Sequence, residues 1–309
     1  MATTLQVNAD DDYEDAVIGT SSSDVNGHDD INNTKSKDQR VFVVQRSLLD
    51  EQQWYQKLEA VQMFEKIENI LHEVCDRMNL TSKIDPTLKK GAPTTEKLSL
   101  VQRTGTEVFK CSIILFGESI LQTEVTLKYP KMSGGVYRAS AQPDVQWKLQ
   151  QLQDADNYCI RALRTVSRGL RWIKNTKPAN DAEKVSSTIV DICSQVTNLI
   201  VQARSTLCMP KKRTLLELCN SPITRCFNPP LPPDLVFSHY ISSNRIVCAA
   251  YQVTSKANGV QGLTVTLADC FLPQLEDVLL LTDRALNIGQ KFSHHMCMLR
   301  ERIHAYNCI

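Results

Sequence analysis

No stretch of this chain approaches the roughly 20 consecutive apolar residues that span a bilayer, and no basic segment leading into an apolar run opens it. The expectation is therefore a soluble protein that meets membranes only through partners. Charge of one sign is missing too: 35 Lys and Arg stand against 34 Asp and Glu, a formal +1, so no broad positive field awaits nucleic acid or anionic lipid. Glycine is scarce, 11 in 309 residues, and neither GxGxxG nor GxxxxGK[ST] occurs. Nucleotide binding is left without the loop that cradles phosphates. The 11 cysteines are odd in number, scattered and never spaced as CxxC, which reads as reduced thiols in a cytoplasmic setting rather than a disulfide framework.

The same scatter governs candidate chemistry. His294, His295 and Cys297 sit together, but two donors from one helix face fall short of the four that zinc prefers. His72 and Cys75 repeat that pattern, and there Cys75 reads more simply as a small core hydrophobe. A catalytic cysteine needs a partner histidine, and spacing alone singles out no pair among 6 His and 11 Cys. The sequence thus predicts no catalytic residue, no cofactor-binding residue, no metal site and no enzyme.

Along the chain, residues 1–40 are rich in Asp, Ser, Asn and Thr and poor in apolar side chains, the composition of a disordered acidic tail. A long helix is predicted over Glu51–Met78, with Trp54, Leu58, Val61, Phe64, Ile67, Leu71, Val74 and Met78 as its apolar stripe. Leu80–Gln102, broken by Pro86, Gly91 and Pro93, reads as a connector. From Phe109 to Leu115 and from Leu121 to Tyr129 the period drops to two, predicting a β-hairpin turning near Gly117, and Tyr137–Ala139 supplies a short further strand. Asp144–Ile173 returns to steps of three and four at Val145, Leu149, Leu152, Ala155, Cys159, Ala162, Val166, Leu170 and Ile173. That rod, about 45 Å long, must lie against other long helices.

Val185, Ile189, Ile192, Val196, Leu199 and Ala203 follow at steps of 4, 3, 4, 3, 4, the repeat that bundle packing asks for. A proline-rich lead, Pro229–Pro233, precedes a second hairpin at Leu235–Ile241 and Arg245–Val253, and Leu263–Leu267 adds a strand. Pro273 opens a last helix to Tyr306, in which Gly289 stands as a weak point worth about 1 kcal/mol against Ala. The fold class is therefore α+β: an antiparallel four-helix bundle, discontinuous in sequence, with a small, mostly antiparallel β-sheet domain inserted between its helices. The bundle takes residues 45–80, 143–207 and 272–306, and the β domain takes 105–142 and 221–271. On the predicted helical wheel Trp147 falls opposite the apolar stripe, so it either packs under the sheet at the junction or stands at a protein interface.

The string QWKLQQLQDA, Gln146–Ala155, followed in order by SPITRCFNPPLPPDLVFSHYISSNRIVCAAYQV, Ser221–Val253, resembles the Rogdi family. The same plan runs from Gln45 to the C-terminus, and the acidic tail reads as an addition to it. The resemblance implies bundled helices with a β domain, sometimes labelled an atypical leucine zipper. It also implies a non-enzymatic small subunit of the RAVE, or rabconnectin, complex, which helps assemble the vacuolar proton-pumping ATPase and so acidify vesicles. Phe227 and Leu231 lie inside the matching string and join Trp147 as candidates for a junction or partner contact. The implied partners are a large WD-repeat subunit and cytosolic-sector pump subunits, with this chain a monomer in a hetero-complex. Its place would be the cytoplasm, peripheral to synaptic, vesicle or endolysosomal membranes, or the nuclear envelope. The alternative is a helical-bundle protein of vesicle trafficking that acts independently of the pump.

Overall fold

Alternation of buried and exposed side chains decides the sheet. Phe109, Cys111, Ile113 and Leu115 are buried while Lys110 is exposed, so Phe109–Phe116 (β2) presents one face inward. Its hairpin partner Ser119–Lys128 (β3) carries Ile120, Val125 and Leu127 inward, and Gly117 takes a positive φ of 56° in the tight turn between them. The computed structural model describes residues 29–78, 94–103, 108–141, 147–176, 182–211, 213–220, 225–255 and 261–307. Thr95–Val101 (β1) pairs with β2 along its whole length, from Thr95↔Phe116 to Val101↔Lys110. The connector expected over Leu80–Gln102 therefore ends in a strand. Only Leu100 of β1 is buried, so the period-two signal is too faint to read from sequence.

Val136–Ala141 (β4), Trp147–Lys148 (β5), Phe227–Asn228 (β6), Leu235–Ser242 (β7), Arg245–Ser255 (β8) and Gln261–Phe271 (β9) complete one antiparallel sheet. Its order is β6-β4-β3-β2-β1-β9-β8-β7, with β5 paired to β3. β9 runs well beyond the short strand expected at Leu263–Leu267. Two blocks compose the sheet: β1–β6 on one side and β7–β9 on the other, joined where Val101 pairs with Asp269. The sheet curls so that the inner faces of β2 and β7 meet, Phe109 stacking on Phe237 at 5.8 Å.

The rest of the described chain is largely helical, and its helices meet the sheet chiefly at β7. Asp29–Trp54 (α1) leads through a π-helical turn, Tyr55–Glu59, into Ala60–Met78 (α2). Next come Gln150–Asn175 (α3), Ala182–Cys208 (α4), the short Leu215–Cys219 (α5) and Pro273–Asn307 (α6). Met1–Arg46 and Ser47–Ile309 separate as two units, the second holding the sheet and α2 to α6. In that second unit α3 packs on α2 and α4, and α6 packs on α2 and α4.

Several expectations need correction. The acidic tail expected over 1–40 lies outside the described residues up to residue 28, and from Asp29 the chain is helical. The single stripe expected along Glu51–Met78 fails in its first turns: Trp54 is 48% exposed and Leu58 45%. A π turn needs more residues than an α turn. The inward positions accordingly run Leu48, Gln52, Gln56, Ala60 before regaining the predicted Phe64, Ile67, Leu71 and Val74. The helix expected from Asp144 starts only at Gln150, because Trp147 and Lys148 pair with Ile120 and Ser119 of β3 and the Leu149 N–H donates to the Glu118 carbonyl at 2.8 Å. Trp147 therefore has no place on a helical wheel. Gly289 is a close approach rather than a weak point: a Cβ there would lie 2.7 Å from Thr197 Cγ2 of α4.

Candidate functional site

The inner face of β7 alternates Leu235, Phe237, His239 and Ile241, all buried. The two-residue turn after Ser242 fixes its pairing with β8, so His239 stands directly opposite Cys248. From the other block, β2 brings Cys111 against the same spot, with Cys111 Sγ 3.7 Å from His239 Nε2. Donor atoms of Cys111, His239 and Cys248 all lie within 4.8 Å of one another, and the three side chains are 1%, 7% and 0% exposed. Among the described residues this is the one cluster of histidine, cysteine or carboxylate side chains that converges in this way.

The electrostatics of the cluster are those of shared protons in a dry place. The Cys111 thiol is pushed down to about 6, first by the hydrogen bond from Cys248 and then, against burial, by His239. Cys248 is pushed up, by burial first and then by holding the proton it shares with Cys111. His239 Nδ1 is buried and has no hydrogen-bond partner among the described residues. The cluster can hold a soft cation or a shared proton.

The residues singled out from sequence surround this spot unequally. Trp147 is 7% exposed and meets the His239 ring edge-to-face at 4.4 Å. Phe227 is 3% exposed and packs on Phe237 at 5.6 Å, two residues away on the same face of β7. Leu231 is separate, half-buried in the cis-Pro229 loop, where it lines a cleft of about 360 Å³ with Pro230, Pro232 and Val236. Tyr137 ties that loop to β4 by donating its hydroxyl to the Pro229 carbonyl at 2.8 Å, and its own pKa is pushed up to about 12 by burial. His294, His295, Cys297, His72 and Cys75 form no such cluster; Cys75 is fully buried in the core.

A second feature lies between α3 and α4. Arg161, Arg164, Arg168 and Arg171, three or four residues apart on α3, line a groove of about 900 Å³ whose other wall is Gln195, Asn198 and Gln202. Such a ridge suits carboxylates.

Long helices packed on one another, a curled antiparallel sheet with the Cys–His–Cys cluster buried within it, and a basic groove between α3 and α4 define a mixed helix-and-sheet protein. No helix among the described residues is long and apolar enough to cross a membrane. The model of the family described as "Rogdi leucine zipper containing protein" matches residues 51–301, so the chain belongs to the Rogdi family. It is 39% identical over 256 residues to "Protein rogdi homolog" of Caenorhabditis elegans, covering 80% of this chain and 87% of that one. It is 27% identical over 274 residues to the Mus musculus "Protein rogdi homolog", covering 80% and 91%. Drosophila melanogaster "Protein rogdi" is 26% identical over 246 residues, covering 79% and 84%. The resemblance carried by QWKLQQLQDA is borne out at the level of family.

Proposed function

We propose that this chain is a non-enzymatic adaptor, the small subunit of a RAVE (rabconnectin)-type complex that supports assembly of the vacuolar proton-pumping ATPase and hence vesicle acidification. Membership of the Rogdi family across residues 51–301, helices and sheet alike, is the observation that carries the reading. The packing of α2, α3, α4 and α6 supports reading the helical layer as an antiparallel four-helix bundle with the sheet inserted between its members. Two surface features suit a partner: the arginine ridge of α3, which matches an acidic face, and Leu231 with its neighbouring prolines. Trp147 and Phe227 contribute by anchoring β5 and β6 to the sheet. The protein acts in the cytoplasm and reaches vesicle membranes through its partners.

Affinity purification of the tagged full-length chain from its own cells, with mass spectrometry of what comes with it, tests the reading. Recovery of a large WD-repeat protein and pump subunits is expected, and Arg168→Glu with Arg171→Glu should lower that recovery. A folded bait that brings down none of them, in cells whose vesicles acidify normally without it, would move the protein to pump-independent vesicle traffic.

A further inference from the structure

We infer that Cys111, His239 and Cys248 form a zinc site that clips the two blocks of the curled sheet together. The geometry carries this. Two donors bound to one tetrahedral zinc ion, at Zn–S of about 2.3 Å and Zn–N of about 2.0–2.1 Å, stand roughly 3.5 Å apart. Cys111 Sγ and His239 Nε2 are already 3.7 Å apart, and all three donor atoms lie within 4.8 Å of one another. The closure left to the side chains is at most about 1.3 Å.

The donors come from three strands. His239 and Cys248 are cross-strand neighbours on β7 and β8, so the hairpin holds them side by side. Cys111 arrives from β2 in the other block, and β2 is linked to β8 in the sheet only by way of β1 and β9. An ion at this point therefore spans the interior of the curl.

Charge and softness select the ion. Two thiolates and a neutral imidazole around Zn²⁺ sum to zero, which a fully buried setting tolerates, whereas a hard oxygen-seeking cation finds no oxygen donor in the set. Monovalent copper with the same donors would leave a net negative charge in the core. Three protein donors leave one position for a small fourth donor. The Trp147 ring, edge-to-face with His239, restricts the imidazole and so presets one ligand.

The test uses the full-length protein, purified with reductant, stripped by chelator and desalted, then exposed to Zn²⁺ alone. Retention of one zinc per chain through a second desalting and an upward shift in Tm are expected. Substitution with Co²⁺ should give the near-ultraviolet thiolate-to-cobalt charge-transfer band. Cys111→Ser and Cys248→Ser should each lose the zinc and the shift, while Cys297→Ser, at an exposed thiol, should keep both. The cobalt spectrum of the unsubstituted protein decides the matter even if the buried variants fail to fold. Absence of retained zinc and of the charge-transfer band in folded, reduced protein overturns the proposal. So does zinc retained undiminished by the two buried serine variants.

Discussion

Gln151 and Ile241 bond to each other as two strands would. The Gln151 side-chain amide donates to the Ile241 carbonyl at 2.9 Å and its oxygen accepts from the Ile241 N–H at 2.8 Å. A third bond runs from the same nitrogen to the Thr206 carbonyl at 2.9 Å. β7 is the last strand of the sheet, so one glutamine from the first turn of α3 closes its open edge and ties it to the end of α4. Gln151→Leu keeps the bulk and leaves the Ile241 N–H without its partner. We expect a loss of about 1–3 kcal/mol in urea unfolding, where Gln150→Leu on the same turn, an exposed side chain bonded to Asp154, changes stability little. Equal stabilities for the two variants would show that the bridge contributes nothing.

At Gly289 α6 lies close against α4. Helix propensity alone makes Gly289→Ala stabilising by about 1 kcal/mol. The 2.7 Å approach to Thr197 Cγ2 makes it destabilising by about 1–3 kcal/mol through overpacking. Thr197→Ser removes that methyl and keeps the hydroxyl that donates to the Cys193 and Ser194 carbonyls, so it should restore most of the loss in the double variant. Chemical denaturation of the four proteins decides the sign.

Asp234 anchors the start of β7 to the β3–β4 connection, accepting from the Tyr129 hydroxyl at 2.6 Å and from Lys131 at 2.7 Å. Burial raises its pKa, but the bonds from Lys131 and Tyr129 outweigh it and the net shift is down; Tyr129 is pushed up to about 12, by burial and then by the carboxylate. A depressed carboxyl adds stability that is complete above its unfolded pKa, about 3.9, and is lost as pH falls through the folded value. Asp234→Asn should therefore cost about 1–2 kcal/mol at pH 7, with the gap to the unsubstituted protein narrowing below about pH 4. A gap that stays constant from pH 7 to pH 3 would remove the carboxylate from the account.

Trp147 and Leu231 separate stability from binding. Trp147→Ala opens a cavity beside His239 and should cost about 3–5 kcal/mol. Leu231→Ala, at the half-buried cleft, should leave Tm nearly unchanged and lower recovery of the partner complex. Thermal melts paired with affinity purification read both, and a Trp147→Ala protein that melts normally would displace the indole from the core.

Much of this was legible in the chain. The stripe Leu152 to Ile173 points inward as its spacing predicts, and on α4 Ile189, Val196 and Ala203 do too, whereas Ile192 and Leu199 are half-buried and Cys193 and Ile200 take the inward places between them. Where backbone geometry departs from the ideal period, reading failed. Tyr55–Glu59 inserts a π turn that slides the stripe away from Trp54 and Leu58, and no propensity announces it. Leu149 satisfies helical spacing and strand alternation alike while Trp147 satisfies only the latter, and pairing with β3 decides between them. The Cys–His–Cys cluster was half accessible: the Ser243–Asn244 turn places His239 opposite Cys248 by counting outward. Cys111, 128 residues before His239, is brought there only by the curl, which no local pattern encodes.

Because α2 completes its packing against α6, whose residues come last, synthesis itself imposes a wait. As the chain leaves the ribosome, α2 and α3 emerge with apolar faces that have no α6 to cover them, and β2 emerges long before β7 and β8 exist to meet it. A nascent chain stopped at Ala268 carries exposed stripes and lacks the Asp269 that pairs with Val101 to join the two blocks of the sheet, the state that chaperones recognise and proteases clear. Premature termination anywhere before α6 should therefore abolish the protein's steady-state level rather than yield a partly working fragment.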